Sequence, residues 1–159
     1  MPNVIIRPLD SVEIPILSKF IYHAIFQRDG ADPFPCSIIN EPSIAVYIQD
    51  FGQADDNCLV AEIDGIIVGA GWARILNGPV KGFGNLDAET PELAISLLPE
   101  HRGRGIGTRL MKAMVNTLTE KGYGRASLAV QRDNYAAAMY LKIGFEIMET
   151  TDQEYIMAI

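Results

Sequence analysis

Three segments predict an α/β or α+β protein built around a largely central sheet. The first is a hairpin signal: Asn57–Ile63 and Ile66–Arg74 are apolar runs on either side of Asp64-Gly65. That dipeptide tolerates the positive φ angles of a two-residue hairpin turn. The second is an unbroken succession of buried-strand pattern, glycine-rich turn and amphipathic helix between Leu93 and Gly122. The third is a short alanine-rich helix pattern that Gly144 can end, followed by two short strand patterns.

Taken in chain order, Val4–Arg7 reads as an opening strand and Asp10-Ser11 as a helix start. Ile14, Leu17, Phe20, Ile21, Ile25 and Phe26 give the next helix its apolar stripe, which Asp29-Gly30 and Pro33-Phe34-Pro35 break. Pro42 is placed to open a second helix carrying Ile44, Val46, Tyr47, Ile48 and Phe51. After the hairpin, Asn77-Gly78-Pro79 and Lys81–Gly84 form a loop. Leu93–Leu98 is then a strand closed by Pro99, and Ile106, Leu110, Met114 and Leu118 recur every four residues as a helix face. Ala126–Val130 is a further strand and Tyr135–Lys142 a short helix. Phe145–Met148 and Glu154–Ala158 close the sheet. With no repeat or linker in view, residues 1–159 are expected to form a single domain.

Composition narrows the function classes. Hydrophobic residues make up 48% and charged residues 21%, an ordinary globular balance. No apolar run approaches the ~20 residues that span a bilayer, so no membrane partner is expected. No basic and apolar leader suggests export. Cys36 and Cys58 show neither metal-ligand spacing nor a disulfide framework, so no metal is expected. They read as buried packing thiols in a protein of the reducing cytoplasm. The net charge of −7 argues against a nucleic-acid partner. Locally, Arg102, Arg104, Arg109 and Lys112 form a basic stretch, whereas Asp87, Glu89 and Glu92 crowd upstream of the strand before it. An anion pocket beside an acidic approach suggests two ligands of opposite sign.

The turn His101-Arg102-Gly103-Arg104-Gly105-Ile106-Gly107-Thr108 suits a phosphate. Amides at a helix start point at an anion, and glycines let it approach without meeting a Cβ. No Lys-Ser/Thr follows the glycines, so a Walker loop is absent. The turn also falls too late in the chain for a Rossmann fingerprint, and no acid stands near residue 128.

Together, Pro99, Arg102-x-x-Gly105-x-Gly107 and the later Asn134, Tyr140 and Gly144-Phe145 resemble the GNAT family of acetyl-CoA-dependent N-acetyltransferases. In many members the interval from Asn to Tyr is seven residues; here it is six. The resemblance implies a mixed, mostly antiparallel sheet of six to seven strands with about four helices, splayed between its two central strands. It implies acetyl-CoA as co-substrate. Backbone groups of Ile95, Ser96 and Leu97 would pair with the pantetheine arm, and Arg102, Gly103, Arg104, Gly105, Ile106, Gly107 and Thr108 would hold the pyrophosphate. Asn134 would touch the pantetheine, and Tyr140 would protonate the departing thiolate.

The chemistry agrees with those roles. A phenol near ~10 can return a proton to a thiolate whose acid titrates near ~8.5. An alkylammonium near ~10.4 must lose a proton before its nitrogen attacks. Glu92, at the start of the pantetheine-binding strand, is the candidate base, with Glu89, Asp87 and water relays as alternatives. Holding thioester and amine together supplies much of the rate, so no nucleophilic Ser or Cys is required. His23 and His101 read as helix-face and surface residues. The acceptor is expected to be a small-molecule or peptide amine, with Phe26, Phe34, Tyr47, Trp72 and Phe83 as candidate lining residues. Homodimerisation stays open, as do two other readings: a non-catalytic acyl-CoA sensor and an acyltransferase using a longer acyl-CoA.

Overall fold

In the computed structural model, which describes residues 3–159, seven strands form one sheet. They are β1 (Val4–Pro8), β2 (Asn57–Ile63), β3 (Ile66–Arg74), β4 (Glu92–Leu97), β5 (Ser127–Gln131), β6 (Glu146–Thr150) and β7 (Glu154–Ala158). Their order is β1-β2-β3-β4-β5-β7-β6, antiparallel throughout except where β4 meets β5. The helices are α1 (Leu17–Ala24), α2 (Pro42–Ala45), α3 (Ile106–Glu120) and α4 (Ala136–Ile143). This is the mixed, mostly antiparallel architecture expected.

The hairpin forms where its turn residues place it. Asp64 and Gly65 adopt φ of 51° and 79°, the left-handed pair that matches strand twist in a two-residue turn. Its second strand, β3, is buried from Ile67 to Arg74 and divides two cores. On one face α3 presents Leu110, Met111, Met114 and Leu118, while α4 adds Ala137 and Tyr140. On the other, Leu17, Phe20 and Ile21 of α1 pack with Tyr47 and the fully buried Trp72.

The helices before the hairpin are shorter than their apolar stripes. Ser11–Ile16 is a 3-10 helix containing Pro15, and α1 stops at Ala24 because Ile25 turns extended (ψ 120°). Ile25 and Phe26 therefore leave the helix. Pro42 does open α2, but only four residues are α-helical. The carbonyls of Val46 and Gln49, which a longer helix would spend on its own amides, accept from the Arg74 guanidinium at 3.0 and 2.7 Å. Arg74 also pairs with Asp56 at 3.0 Å. Val46–Phe51 is thus pinned as turns on β3.

The β4–β5 junction positions everything that follows. β4 pairs with β3 over its whole length, yet meets β5 only at Glu92↔Ser127. Beyond that point the strands diverge, and the edge of Leu93–Leu97 that faces β5 has no ladder. Among the described residues no helix is long and apolar enough to cross a membrane. Cys36, expected to be buried, is exposed at the start of a short 3-10 helix (Cys36–Asn40), while Cys58 is half-buried with its thiol pushed up to about 12 by burial.

Candidate active site

The diverging strands open a cleft of about 900 Å³. One wall is β4, with Glu92 at the apex of the splay; the other is β5 with the start of α4, and Glu154 of β7 also faces in. The glycine turn lies along the cleft, as do the end of α1, Tyr47 and Phe83.

At the turn, Gly103 and Gly105 adopt φ of 76° and 80°, and the space a side chain would fill is open. Only glycine takes this conformation without strain. The backbone N–H groups of Gly103, Arg104, Gly105, Ile106, Gly107 and Thr108 have no acceptor among the described residues. The last three are the orphan amides of the first turn of α3, and the helix dipole adds to their positive field. Such a row suits a multiply charged oxyanion. The Ile106 side chain points away into the core.

The arginines do something else. Arg102 donates to the carbonyls of Leu97 (3.3 Å) and His23 (3.2 Å), tying the end of β4 and α1 to the turn. Arg109 reaches the carbonyl of Val4 at 3.4 Å. Both act as tethers while leaving their charge near the turn. Arg104 is exposed. Ser96 is anchored too, donating to the Phe20 carbonyl at 2.6 Å. Ile95 and Leu97 line the cleft beside it.

Across the cleft, the Asn134 side-chain Oδ1 accepts the Ala136 N–H at 2.9 Å where α4 begins, which leaves its amide NH₂ unused among the described residues. Six residues on, Tyr140 is 7% exposed, packed on Phe145 with ring centroids 5.6 Å apart. Its hydroxyl lines the cleft without a hydrogen-bond partner among the described residues, and burial pushes the phenol well above its usual range. Gly144, at φ 124°, ends the helix so that Phe145 can donate back to the Tyr140 carbonyl at 3.0 Å.

Glu92 is only 2% exposed. Its Oε2 accepts from the Tyr47 hydroxyl and, at 3.1 Å, from the Gly84 N–H. Its Oε1 is buried without a partner, against Gly82, where any side chain would collide with the carboxylate. Burial raises Glu92 to about 7 despite the two bonds, which act in the opposite sense. Tyr47 is held in turn: its hydroxyl accepts the Phe83 N–H at 2.8 Å, its ring stacks on Phe83, and its carbonyl accepts the Trp72 indole N–H at 3.0 Å. Gly84 completes the assembly, packed on the Leu128–Ala129 backbone with its carbonyl accepting from Ser127 at 2.8 Å.

Several expectations are corrected here. Asp87 is no approach residue: it accepts from Arg125 at 2.7 Å and from the backbone of Glu89 and Thr90, which holds its carboxyl well below the usual range. Neither Asp87 nor Glu89 lines the cleft. Trp72 is core, and Phe34 is exposed outside the cleft, whereas Phe26, Tyr47 and Phe83 do line it. His23, read as a helix-face residue, lines it as well, and burial with the nearby Arg102 charge lowers its imidazole. His101 is half-buried, with Nδ1 enclosed and unpartnered. Glu154 was missed. Its signal lay in strand alternation, since it shares a face with Ile156 and Ala158, both buried.

Known proteins share this fold. A PaiA N-acetyltransferase from Thermoplasma acidophilum, solved in complex with coenzyme A, superposes with a TM-score of 0.69 over 98% of both chains at 19% identity. A mycothiol acetyltransferase from Tsukamurella paurometabola is 29% identical over 122 residues, 76% of this chain and 36% of that protein. An uncharacterized N-acetyltransferase from Archaeoglobus fulgidus is 37% identical over 90 residues, 54% of this chain and 56% of that one. The chain spans about a quarter to a third of the length of the mycothiol acetyltransferases it matches. The model of the acetyltransferase (GNAT) family matches residues 23–145, from the cleft-lining His23 through the glycine turn to Phe145. This chain therefore belongs to the GNAT acetyltransferase family.

Proposed function

We propose that residues 1–159 form one acetyltransferase domain that moves the acetyl group of acetyl-CoA to a primary amine within a ternary complex. The observation that carries this reading is the row of six unpaired amides, 103–108, beside a strand edge that lacks a ladder. A pyrophosphate joined to an extended, amide-containing arm satisfies both sets of orphan groups at once. Gly103–Thr108 would hold the pyrophosphate and Ile95–Leu97 the arm, with Arg102 and Arg104 lending charge and Asn134 offering its free NH₂. Acetyl-CoA supplies the activated thioester; the chain's own groups orient it and move protons.

The proton balance closes with two side chains. An ammonium acceptor gives one proton to a cleft carboxylate, for which Glu92 is our candidate because it is enclosed and titrates near neutrality. Its Oε1 is the atom left to receive the proton, Oε2 being committed to Tyr47 and Gly84. The freed nitrogen attacks the thioester carbonyl, and the carbon–sulfur bond breaks. Tyr140 protonates the leaving thiolate and recovers a proton from the nitrogen or from solvent. Its raised phenol stays protonated at neutral pH, as an acid in waiting must. Two free thiols, Cys36 and Cys58, support a cytoplasmic location.

Acetyl-CoA should raise the melting temperature, and a panel of primary amines should release free thiol in its presence. Stabilisation without thiol release for any amine would favour an acyl-CoA sensor instead. Faster release from a longer acyl-CoA would replace acetyl as the transferred group.

A further inference from the structure

Four carboxylates face the cleft: Asp29, Glu92, Asp133 and Glu154. Three have other commitments or positions. Asp133 is neutralised by Arg28 at 2.7 Å. Glu92 is shut beneath Gly82 and bonded to Tyr47 and Gly84. Asp29 stands exposed on the loop after α1. Glu154 is different in kind. It is half-buried on a rigid strand, and its carboxylate makes no hydrogen bond or ion pair among the described residues. Among the described residues no lysine lines the cleft, and the one arginine that does, Arg102, is tethered to two carbonyls at the turn.

A half-buried, unpaired carboxylate is an unfavourable thing to keep, because partial desolvation is not repaid by any partner. Glu154 feels this cost and is raised above its usual range. Its charge also reaches Tyr47 and Glu92 across the cleft and pushes both upward. Across the ladder it faces Gln131, a neutral residue. A cationic ligand in the cleft would supply the missing partner.

We propose that Glu154 is the acceptor-binding carboxylate, which receives the ammonium of the incoming amine by a charge-assisted hydrogen bond and holds it in the cleft that Glu92 also lines. This rests on the acetyl-transfer reading for the identity of the cleft. It divides the work between two acids. Glu154 grips the cationic acceptor, while the enclosed Glu92 takes the proton by way of a water. The acceptor class that follows is an aliphatic amine charged at neutral pH. A weakly basic arylamine would gain nothing from Glu154.

The test compares wild type with Glu154→Gln and Glu154→Asp, using an aliphatic diamine, an aliphatic monoamine and an uncharged arylamine as acceptors. Loss of a charge-assisted hydrogen bond should raise KM for both aliphatic amines about tenfold to a hundredfold in Glu154→Gln. The arylamine KM and the stabilisation by CoA should stay as in wild type, and the melting temperature should not fall. Glu154→Asp, which keeps the charge, should recover most of the loss and covers the case in which the amide variant fails to fold. An unchanged aliphatic KM in a folded, active Glu154→Gln would overturn the proposal and leave the acetyltransferase reading intact. If wild type releases no thiol with any amine, calorimetric binding of the diamine to the CoA-loaded protein decides the matter. Binding lost in Glu154→Gln would then uphold the assignment while the catalytic reading falls; equal binding in both proteins would defeat it.

Discussion

Replacing Glu92 by glutamine should change how the stability of this protein depends on pH, by an amount that the cleft itself dictates. The carboxyl rises from 4.5 to about 7 on folding, chiefly by burial. The sign follows from proton binding. Between those two values the folded state holds a proton that the unfolded chain has lost, so stability present below pH 4.5 is lost as pH rises through 7. Linkage over that shift gives a loss of about 2.5 kcal/mol between pH 5 and pH 8. For a chain of this length that corresponds to roughly 5–10 °C in melting temperature. Glutamine retains an oxygen for Tyr47 and Gly84 but cannot ionise, so its own orphaned NH₂ adds a cost that is the same at every pH. The assay is urea unfolding of both proteins at pH 5 and pH 8. The gap between wild type and Glu92→Gln should shift by about 2.5 kcal/mol in favour of the variant at the higher pH. Stability curves that run parallel across this range would refute the enclosed-acid picture and, with it, the reason for choosing Glu92 as base.

Three further outcomes are expected. Tyr140→Phe should lower kcat by about a hundredfold or more while CoA still raises the melting temperature as in wild type; a change under about threefold would remove Tyr140 from the proton pathway. Gly105→Ala forces a Cβ onto φ 80° and should cost about 1 kcal/mol of stability, and it should weaken CoA-dependent stabilisation; full retention of both would contradict the role of the turn. Gly84→Ala would set a Cβ 2.5 Å from the Leu128 carbonyl carbon, and because backbone cannot yield cheaply, chemical denaturation should show a loss of about 1–3 kcal/mol.

What could be read in advance was what short-range chemistry decides. Asp64-Gly65 specifies its hairpin locally, and the glycine turn specifies a left-handed entry into α3. Tyr140 is singled out by the family resemblance that Asn134 and Gly144-Phe145 carry, not by local chemistry. The failures all involve partners remote in sequence. Nothing near Val46 announces that Arg74, 28 residues away, will hold its carbonyl and cut the helix short. Asp87 looked free until Arg125, 38 residues on, claimed it. Alternation puts Glu154 on the face of Ile156 and Ala158, but it is the order β5-β7-β6 that sets that face beside the cleft. Glu92 was chosen for its position on β4; its enclosure depends on Tyr47 and the Gly82–Gly84 loop, which no local pattern links to it.

The single β4–β5 pair has a mechanical consequence. Every other neighbouring pair of strands is joined by at least four residue pairs, but the two halves of the sheet, β1–β4 and β5–β7, touch at one. The molecule is in effect two plates riveted at Glu92 and Ser127, with α3 and α4 bridging them on one face. Whatever fills the gap becomes mortar between the plates, so occupancy should slow amide exchange on both flanks of the seam together. The rivet is also the place where Glu92 sits, so the candidate base stands at the one point where the two plates are fixed to each other.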